Sequence, residues 1–310
     1  MSSSRYKPKL SECYTLFPPE MITPGPRKRT YKRVDHPIWS HNKARFIALY
    51  LKFFVYITHH GVYIDGFAGP QYANHLDAWT AAQVLRSRPQ WLRQFFLCDI
   101  KPKSIVALQT LVTNEPLASD NAGKLLPRTI SVHDGDFNIT IDTLLKSDRL
   151  SQKEATFCLL DQRTFECHWD TLLKLAAYKQ KPHNKIELLY FLGVGWIHRA
   201  ISGLKDHSPL ERWWGRSDWS SLKDLSCIEM AELVRDRFCN ELGYKHTVAY
   251  PIFDSRHGNK VMYYMIHASD HEEAPALMVR AHSRAVRTVL KETQRELWPS
   301  PKELIPDRIP

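Results

Sequence analysis

Short apolar runs alternate with helix-like segments from about residue 60 to residue 195, and this alternation constrains the fold more than any other feature. The runs are VYID, QFFLCD, RTISVHDGD, ATFCLLD and KIELLYFLG. Their spacing favours βαβ units and a parallel sheet with right-handed crossovers. The core runs lack polar alternation, as expected for strands that helices cover on both faces. The sequence therefore predicts an α/β fold with a mostly parallel sheet.

The segments on either side of this region complete the predicted domain, which spans residues 36–300. Apolar residues at three- and four-residue steps predict a helix over 38–57. The Trp-rich segment at about 203–225 contains SPLERWWGRSDWSS and predicts a lid-like insertion, with buried packing as the alternative. Two further runs, HTVAYPIFD and KVMYYMIHAS, flank the turn SRHGN and predict a C-terminal antiparallel hairpin.

Composition excludes several classes of protein. Hydrophobic residues make up 43% of the 310 residues, which is enough for a sizeable core. No apolar run approaches the roughly 18–20 residues that span a bilayer, and the N-terminus lacks a signal-like apolar region. The six cysteines are scattered without a CxxC pair, which favours reduced thiols. We therefore predict a cytoplasmic protein with no membrane segment.

The net charge of +10 is concentrated in two places. Residues 1–35 contain Pro-rich basic sequence such as TPGPRKRTYKR and predict a flexible arm. A predicted final helix at about 274–297 places five cations on one face, where they can follow a nucleic-acid backbone. These cations are Arg280, Arg284, Arg287, Lys291 and Arg295. A solubilising tail and an ordinary solvated helix face remain the alternatives.

The stretch GVYIDGFAGPQY ends its apolar run at Asp65 and continues into a glycine-containing turn. Such a turn lies at the carboxyl edge of the sheet, where open α/β folds bind ligands. The pattern is not the G-x-G-x-x-G dinucleotide fingerprint, and Pro70 lacks the N–H that a pyrophosphate would require. A ligand without phosphates suits this turn better, and S-adenosylmethionine is such a ligand.

Acidic residues end the following runs as well. At this edge Asp99 can accept ribose hydroxyls, and Asp134 and Asp136 can reach an adenine amino group. Together they predict a nucleoside-binding cleft, with unrelated turn caps as the alternative. The predicted cofactor-binding residues are Asp65, Gly66, Phe67, Ala68, Gly69, Asp99, Asp134 and Asp136. The cysteines and histidines do not show a convincing metal-ligand spacing, so we predict no metal site.

Asp161 ends the fourth run, beside the predicted position of methyl transfer. If the chain is an enzyme, Asp161 is the candidate acceptor of the proton from the nucleophile. Gln162 is the candidate that orients the acceptor by hydrogen bonds.

YIDGFAGP resembles the first motif of class I methyltransferases. More narrowly, the chain resembles the three-Cys-motif partner (TcmP) family from about residue 36 to 285. The resemblance rests on ordered segments that include WSHNK, YIDGFAGPQY, FCLLDQRTFECHWDTLLKLA, ERWWGRSDW and VMYYMIHASDH. It implies a Rossmann-like methyltransferase fold, in which the seventh strand of the sheet is antiparallel. It also implies a partner protein that bears three cysteines.

Two positions depart from this family pattern. Gln71 replaces a usual glycine, and Asp161 is followed by Gln162 and Arg163 instead of proline. Two functions consequently stay open. The first is an S-adenosylmethionine-dependent methyltransferase that acts on or binds nucleic acid. The second is a catalytically degenerate binding subunit of a two-protein system.

Overall fold

The computed structural model describes residues 38–72, 75–115, 125–253 and 261–297; for 38–42, 286 and 288–297 it describes the backbone alone. The predicted basic arm at 1–35 lies outside these residues. The described strands form one seven-stranded sheet in the order β3-β2-β1-β4-β5-β7-β6. The strands are β1 (Gly61–Asp65), β2 (Leu92–Asp99), β3 (Thr129–Asp134), β4 (Thr156–Leu160), β5 (Glu187–Leu192), β6 (His246–Phe253) and β7 (Val261–Ser269).

Neighbouring strands from β1 to β5 pair in parallel, whereas β7 is antiparallel to both β5 and β6. The expected α/β fold is therefore confirmed: the sheet is Rossmann-like and mostly parallel, with a C-terminal antiparallel hairpin. The parallel strands all end at one edge of the sheet, so Asp65, Asp99 and Asp134 lie along that edge. We call this the carboxyl edge.

Helices cover both faces of the sheet, which explains the uniformly apolar strands. In β1, Val62 and Ile64 pack into one core, while Tyr63 packs into the other. The first core involves α4 (Phe137–Leu145), α5 (Trp169–Tyr178), α6 (Val194–Gly203), α7 (Ser208–Trp214) and α8 (Cys227–Asn240). The second involves α1 (Ile38–Thr58), α2 (Thr80–Arg86), α3 (Pro102–Asn114) and α9 (Ala274–Leu297).

The Trp-rich segment packs against the body of the domain. It forms α7 and a 3₁₀ helix at Ser217–Asp224, and its Trp213 and Trp214 are buried. The Arg237 guanidinium lies 3.6 Å from the ring centroid of Trp169 and 4.0 Å from that of Trp214. Arg237 also donates to the Glu241 carboxylate at 2.6 and 2.7 Å. These contacts support the packing alternative for the tryptophans, and a lid function for the segment stays a prediction.

The bounds predicted for α9 match the structure, and its buried face is narrow. Met278, Ala281 and Ala285 are buried, whereas Val279 is 52% exposed. Val279 follows Met278 in sequence, and the turn of about 100° per residue in an α-helix points its side chain away from the second core.

The described residues also bear on the remaining structural expectations. None of their helices is long and apolar enough to cross a membrane. They contain no cluster of three or more residues that could hold a metal ion. Cys98, Cys158 and Cys167 are buried thiols, and Cys239 is an exposed one.

Candidate functional site

Asp65, the last residue of β1, is buried at the carboxyl edge. Its carboxylate accepts hydrogen bonds from the Tyr63 hydroxyl at 2.8 Å and from the Phe67 N–H at 3.2 Å. Burial raises the pKa of Asp65 from its ordinary value of 3.8 to about 7. The negative charges of Asp161 and Asp99 act in the same direction, while the two hydrogen bonds act in the opposite one. Asp65 is therefore a carboxyl group that titrates near neutral pH.

Gly69 brings the turn after β1 into contact with the acid that ends β2. The Gly69 N–H donates to Asp99 Oδ2 at 3.0 Å, and the Ala68 N–H donates to the Cys98 carbonyl at 2.8 Å. A Cβ at Gly69 would lie 2.2 Å from Asp99 Oδ2 and 2.3 Å from Ser104 Oγ, so a side chain has no room there. Gly69 thus allows the backbone of the turn to approach the Asp99 carboxylate closely.

An aromatic side chain covers the first glycine of the turn. A Cβ at Gly66 would lie 3.0 Å from the ring of Phe137, which is buried and begins α4. The rings of Phe67 and Phe137 are 5.8 Å apart between centroids. Phe137 therefore packs directly against the turn that we predicted to bind the cofactor.

The predicted acids of β3 occupy two different environments. Asp134 is exposed and pairs in register with Asp99 across β2 and β3. Asp136 caps α4, since its Oδ1 accepts from the Asn138 N–H at 2.8 Å. The structure thus places both residues at the carboxyl edge, but one of them already has a structural partner.

Asp161 forms an ion pair with Lys43, a residue of α1. The Lys43 Nζ is 2.7 Å from Asp161 Oδ1 and 2.6 Å from Oδ2. It also lies 5.6 Å from the ring centroid of Phe191 and 5.9 Å from that of Tyr263. A carboxylate and two aromatic faces therefore surround this ammonium group.

Gln162 lies behind Asp161 and is 2% exposed. Its Nε2 donates to the Phe191 carbonyl at 3.3 Å, and its Oε1 accepts from the Cys167 N–H at 2.9 Å. Because both amide atoms bond the backbone, this side chain holds the segment after β4 against the end of β5. Direct contact with the methyl acceptor, as the sequence suggested, would require the residues that bury this side chain to move.

Sequence reasoning missed Lys43 and Tyr263 as residues of this site. Tyr263 is fully buried, and its hydroxyl has no hydrogen-bond partner among the described residues. Lys43 belongs to the WSHNK segment, but it lies 118 residues before Asp161 and carries no signal of that contact. Tyr263 sits in the run KVMYYMIHAS, where nothing distinguishes it from a core tyrosine.

Comparison with known proteins gives distant likenesses. No protein-family model and no curated protein matches the sequence, so the resemblance to the TcmP family stays a prediction. The small RNA methyltransferase HEN1 has a TM-score of 0.42 and 13% identity over 80% of this chain, and the chain spans 28% of that protein. The YcgJ protein from Bacillus subtilis has a TM-score of 0.27 and 9% identity, over 71% of this chain and 95% of that one.

Proposed function

We propose that this chain is an S-adenosylmethionine-dependent methyltransferase-like protein that binds its cofactor at the carboxyl edge. The observation that carries the proposal is the Asp99 carboxylate, which ends β2 and is held beside the Gly69 amide. In a sheet of this order, the end of β2 adjoins the turn after β1, so one ligand can contact both.

The free hydrogen-bonding positions of Asp99 support a nucleoside as the ligand. Its carboxylate has about four lone-pair positions, of which the Gly69 N–H and the Lys101 N–H use two. The remaining positions would accept ribose hydroxyls at the 8% of Asp99 that is exposed, and the exposed Asp134 lies next to Asp99. Phe137 covers Gly66, so a ligand in the turn would contact this ring or displace it. When bound, S-adenosylmethionine supplies an activated methyl group.

The chain's own residues would act on the acceptor. Asp161 would accept its proton, and in the structure it forms an ion pair with Lys43. The Tyr263 hydroxyl, which has no hydrogen-bond partner among the described residues, would donate a hydrogen bond beside it, while Gln162 positions the segment that carries Asp161. For an acceptor to reach Asp161, the Lys43 ammonium would have to move away from at least one carboxylate oxygen.

Calorimetric titration with S-adenosylmethionine tests cofactor binding. We expect Asp99→Asn to weaken binding about tenfold or more, because a charge-assisted hydrogen bond is worth about 1.5–3 kcal/mol. The amide oxygen can still accept from the Gly69 N–H, but the Lys101 N–H then faces the amide nitrogen, so circular dichroism must show that the variant is folded. Asp148→Asn, at an exposed position, is the control. Absence of binding to the wild-type chain at millimolar cofactor would remove the proposal, as would equal affinity in the two variants.

We further propose that the acceptor or ligand is a nucleic acid. Arg280, Arg284 and Arg287 are exposed on α9, and the helix continues through Lys291 and Arg295. Replacing these three arginines with glutamine should lower the affinity for fluorescent oligouridine. It should also reduce the slope of log affinity against log salt by about 2, at roughly 0.7 per phosphate contact. Glutamines at the exposed Lys103, Lys146 and Lys223 should leave that slope unchanged.

A second function, binding without turnover, is favoured by the contacts of Asp161 and Gln162. Both carboxylate oxygens of Asp161 contact Lys43, and the Gln162 amide bonds the backbone. In this case the wild-type chain would bind cofactor and oligonucleotide but transfer no radiolabelled methyl group. Co-purification of a cysteine-rich partner from the native host would support the two-protein system, and a lone monomer would count against it.

A further inference from the structure

A cavity of about 290 Å³ lies at the opposite edge of the sheet from the predicted cofactor site. Thr156 begins β4 and Glu187 begins β5, while Ser269 ends the antiparallel β7, and all three line the cavity. The volume is close to the lower limit of about 300 Å³ for pockets that hold small ligands. Nothing proposed above for the carboxyl edge uses these residues.

One side of the cavity contains a buried acid whose hydrogen bonds are already made. Glu187 Oε1 accepts from the Tyr50 hydroxyl and lies 2.9 Å from His267 Nε2. Glu187 Oε2 accepts from the Ser269 hydroxyl at 2.9 Å. Because these three side chains surround the carboxylate, it is poorly placed to bind an ammonium ligand.

The other side contains a buried lysine that makes no salt bridge with any described residue. Lys179 is 6% exposed, and its Nζ donates to the Glu154 carbonyl and, at 2.9 Å, to Thr156 Oγ1. No carboxylate among the described residues pairs with this Nζ. An ammonium group has three N–H donors, so one remains for a ligand. Burial lowers the pKa of Lys179 to about 8, which leaves the group largely charged at neutral pH.

The rest of the lining adds positive charge and an apolar wall. Of the described residues that line the cavity, three are lysines and one is an acid. The N-terminal residue of α9, Ala274, also lines it, and the positive end of the helix dipole favours an anion there. Phe54, Ala155 and Leu277 supply apolar surface.

We propose that this cavity binds a small organic carboxylate with an apolar body, with its carboxylate on Lys179 Nζ and its body against Phe54 and Leu277. This inference does not depend on the proposed methyltransferase function, because the two sites lie at opposite edges of the sheet. A ligand of this class would pair with a buried ammonium group that feels the charge of Glu154 but makes no salt bridge among the described residues.

Calorimetry on the full chain with benzoate as the probe tests the proposal, with benzylamine and benzyl alcohol as cationic and neutral analogues. We expect benzoate to bind at least tenfold more tightly than either analogue. Lys179→Met should weaken benzoate binding about tenfold or more, since it removes a charged donor. Lys181→Met, at an exposed lysine outside the cavity lining, should leave it unchanged.

A second variant keeps the test informative if Lys179→Met fails to fold. Leu277→Trp should fill the cavity and abolish benzoate binding while Lys179 stays in place. Equal affinity for benzoate and benzyl alcohol, or unchanged binding in Lys179→Met, would overturn the proposal. Tighter binding of phenyl phosphate than of benzoate would overturn the choice of a carboxylate.

Discussion

Replacing Gly69 with alanine tests whether the turn after β1 needs close contact with Asp99. The added Cβ would lie 2.2 Å from Asp99 Oδ2 and 2.4 Å from Ser104 Cβ, well inside any permitted contact. Overpacking of this kind costs about 1–3 kcal/mol, and losing the hydrogen bond from Gly69 to the carboxylate adds about 1.5–3 kcal/mol. We therefore expect Gly69→Ala to lower the free energy of unfolding by about 3 kcal/mol or more.

Urea denaturation followed by circular dichroism measures this change. Gly203→Ala is the matched control, because a Cβ at Gly203 meets no atom within 4 Å and this residue ends α6. The control should stabilise the chain or leave its stability within about 1 kcal/mol of the wild type. The reasoning is refuted if Gly69→Ala and Gly203→Ala unfold at the same urea concentration, since the turn would then accommodate a side chain without loss.

Two further predictions concern buried charges. Because the folded pKa of Asp65 is about 7 against an ordinary 3.8, its contribution to stability should fall by up to about 4 kcal/mol between pH 4 and 7. Asp65→Asn should therefore gain stability over the wild type as pH rises in urea titrations, and parallel curves would contradict this. Arg237→Met should cost about 3 kcal/mol or more and alter the near-ultraviolet dichroism of Trp169 and Trp214, because it removes the hydrogen bond from the buried guanidinium to the Trp214 carbonyl and its contacts with both rings, while Glu241 keeps Arg216 as a partner. Arg235→Met, whose ion pair is more exposed, should cost less than about 1 kcal/mol, and equal losses would refute the argument.

The sequence predicted secondary structure best where the local pattern of apolar residues matches the burial that the fold imposes. The apolar runs that end at Asp65 and Asp99 became β1 and β2, with both acids as the final residues. By contrast, α4 and α6 were not predicted. The segment VGWIHRAISG of α6 follows directly after β5, and its apolar residues continue that run without a polar boundary.

The partners within the candidate site were less predictable than its acids. Strand-terminal aspartates can be identified one at a time, but the ion pair of Asp161 with Lys43 depends on how α1 packs on the finished sheet. Lys179 is a similar case, because a lysine after an amphipathic helix is normally expected in solvent. Its burial arises from Thr156 and Glu154, which precede it by more than twenty residues.

The packing of α1 against α9 has a consequence for how the chain acquires its structure. Phe46 of α1 contacts His282 of α9, with ring centroids 5.6 Å apart, although nearly the whole domain separates them in sequence. During synthesis, the aromatic surface of α1 therefore stays exposed to solvent until α9 has been made and can pack against it. Such long-range closure slows folding and exposes partly folded chains to aggregation and to chaperones. Loss of α9 would leave this aromatic surface uncovered and prevent completion of the second core.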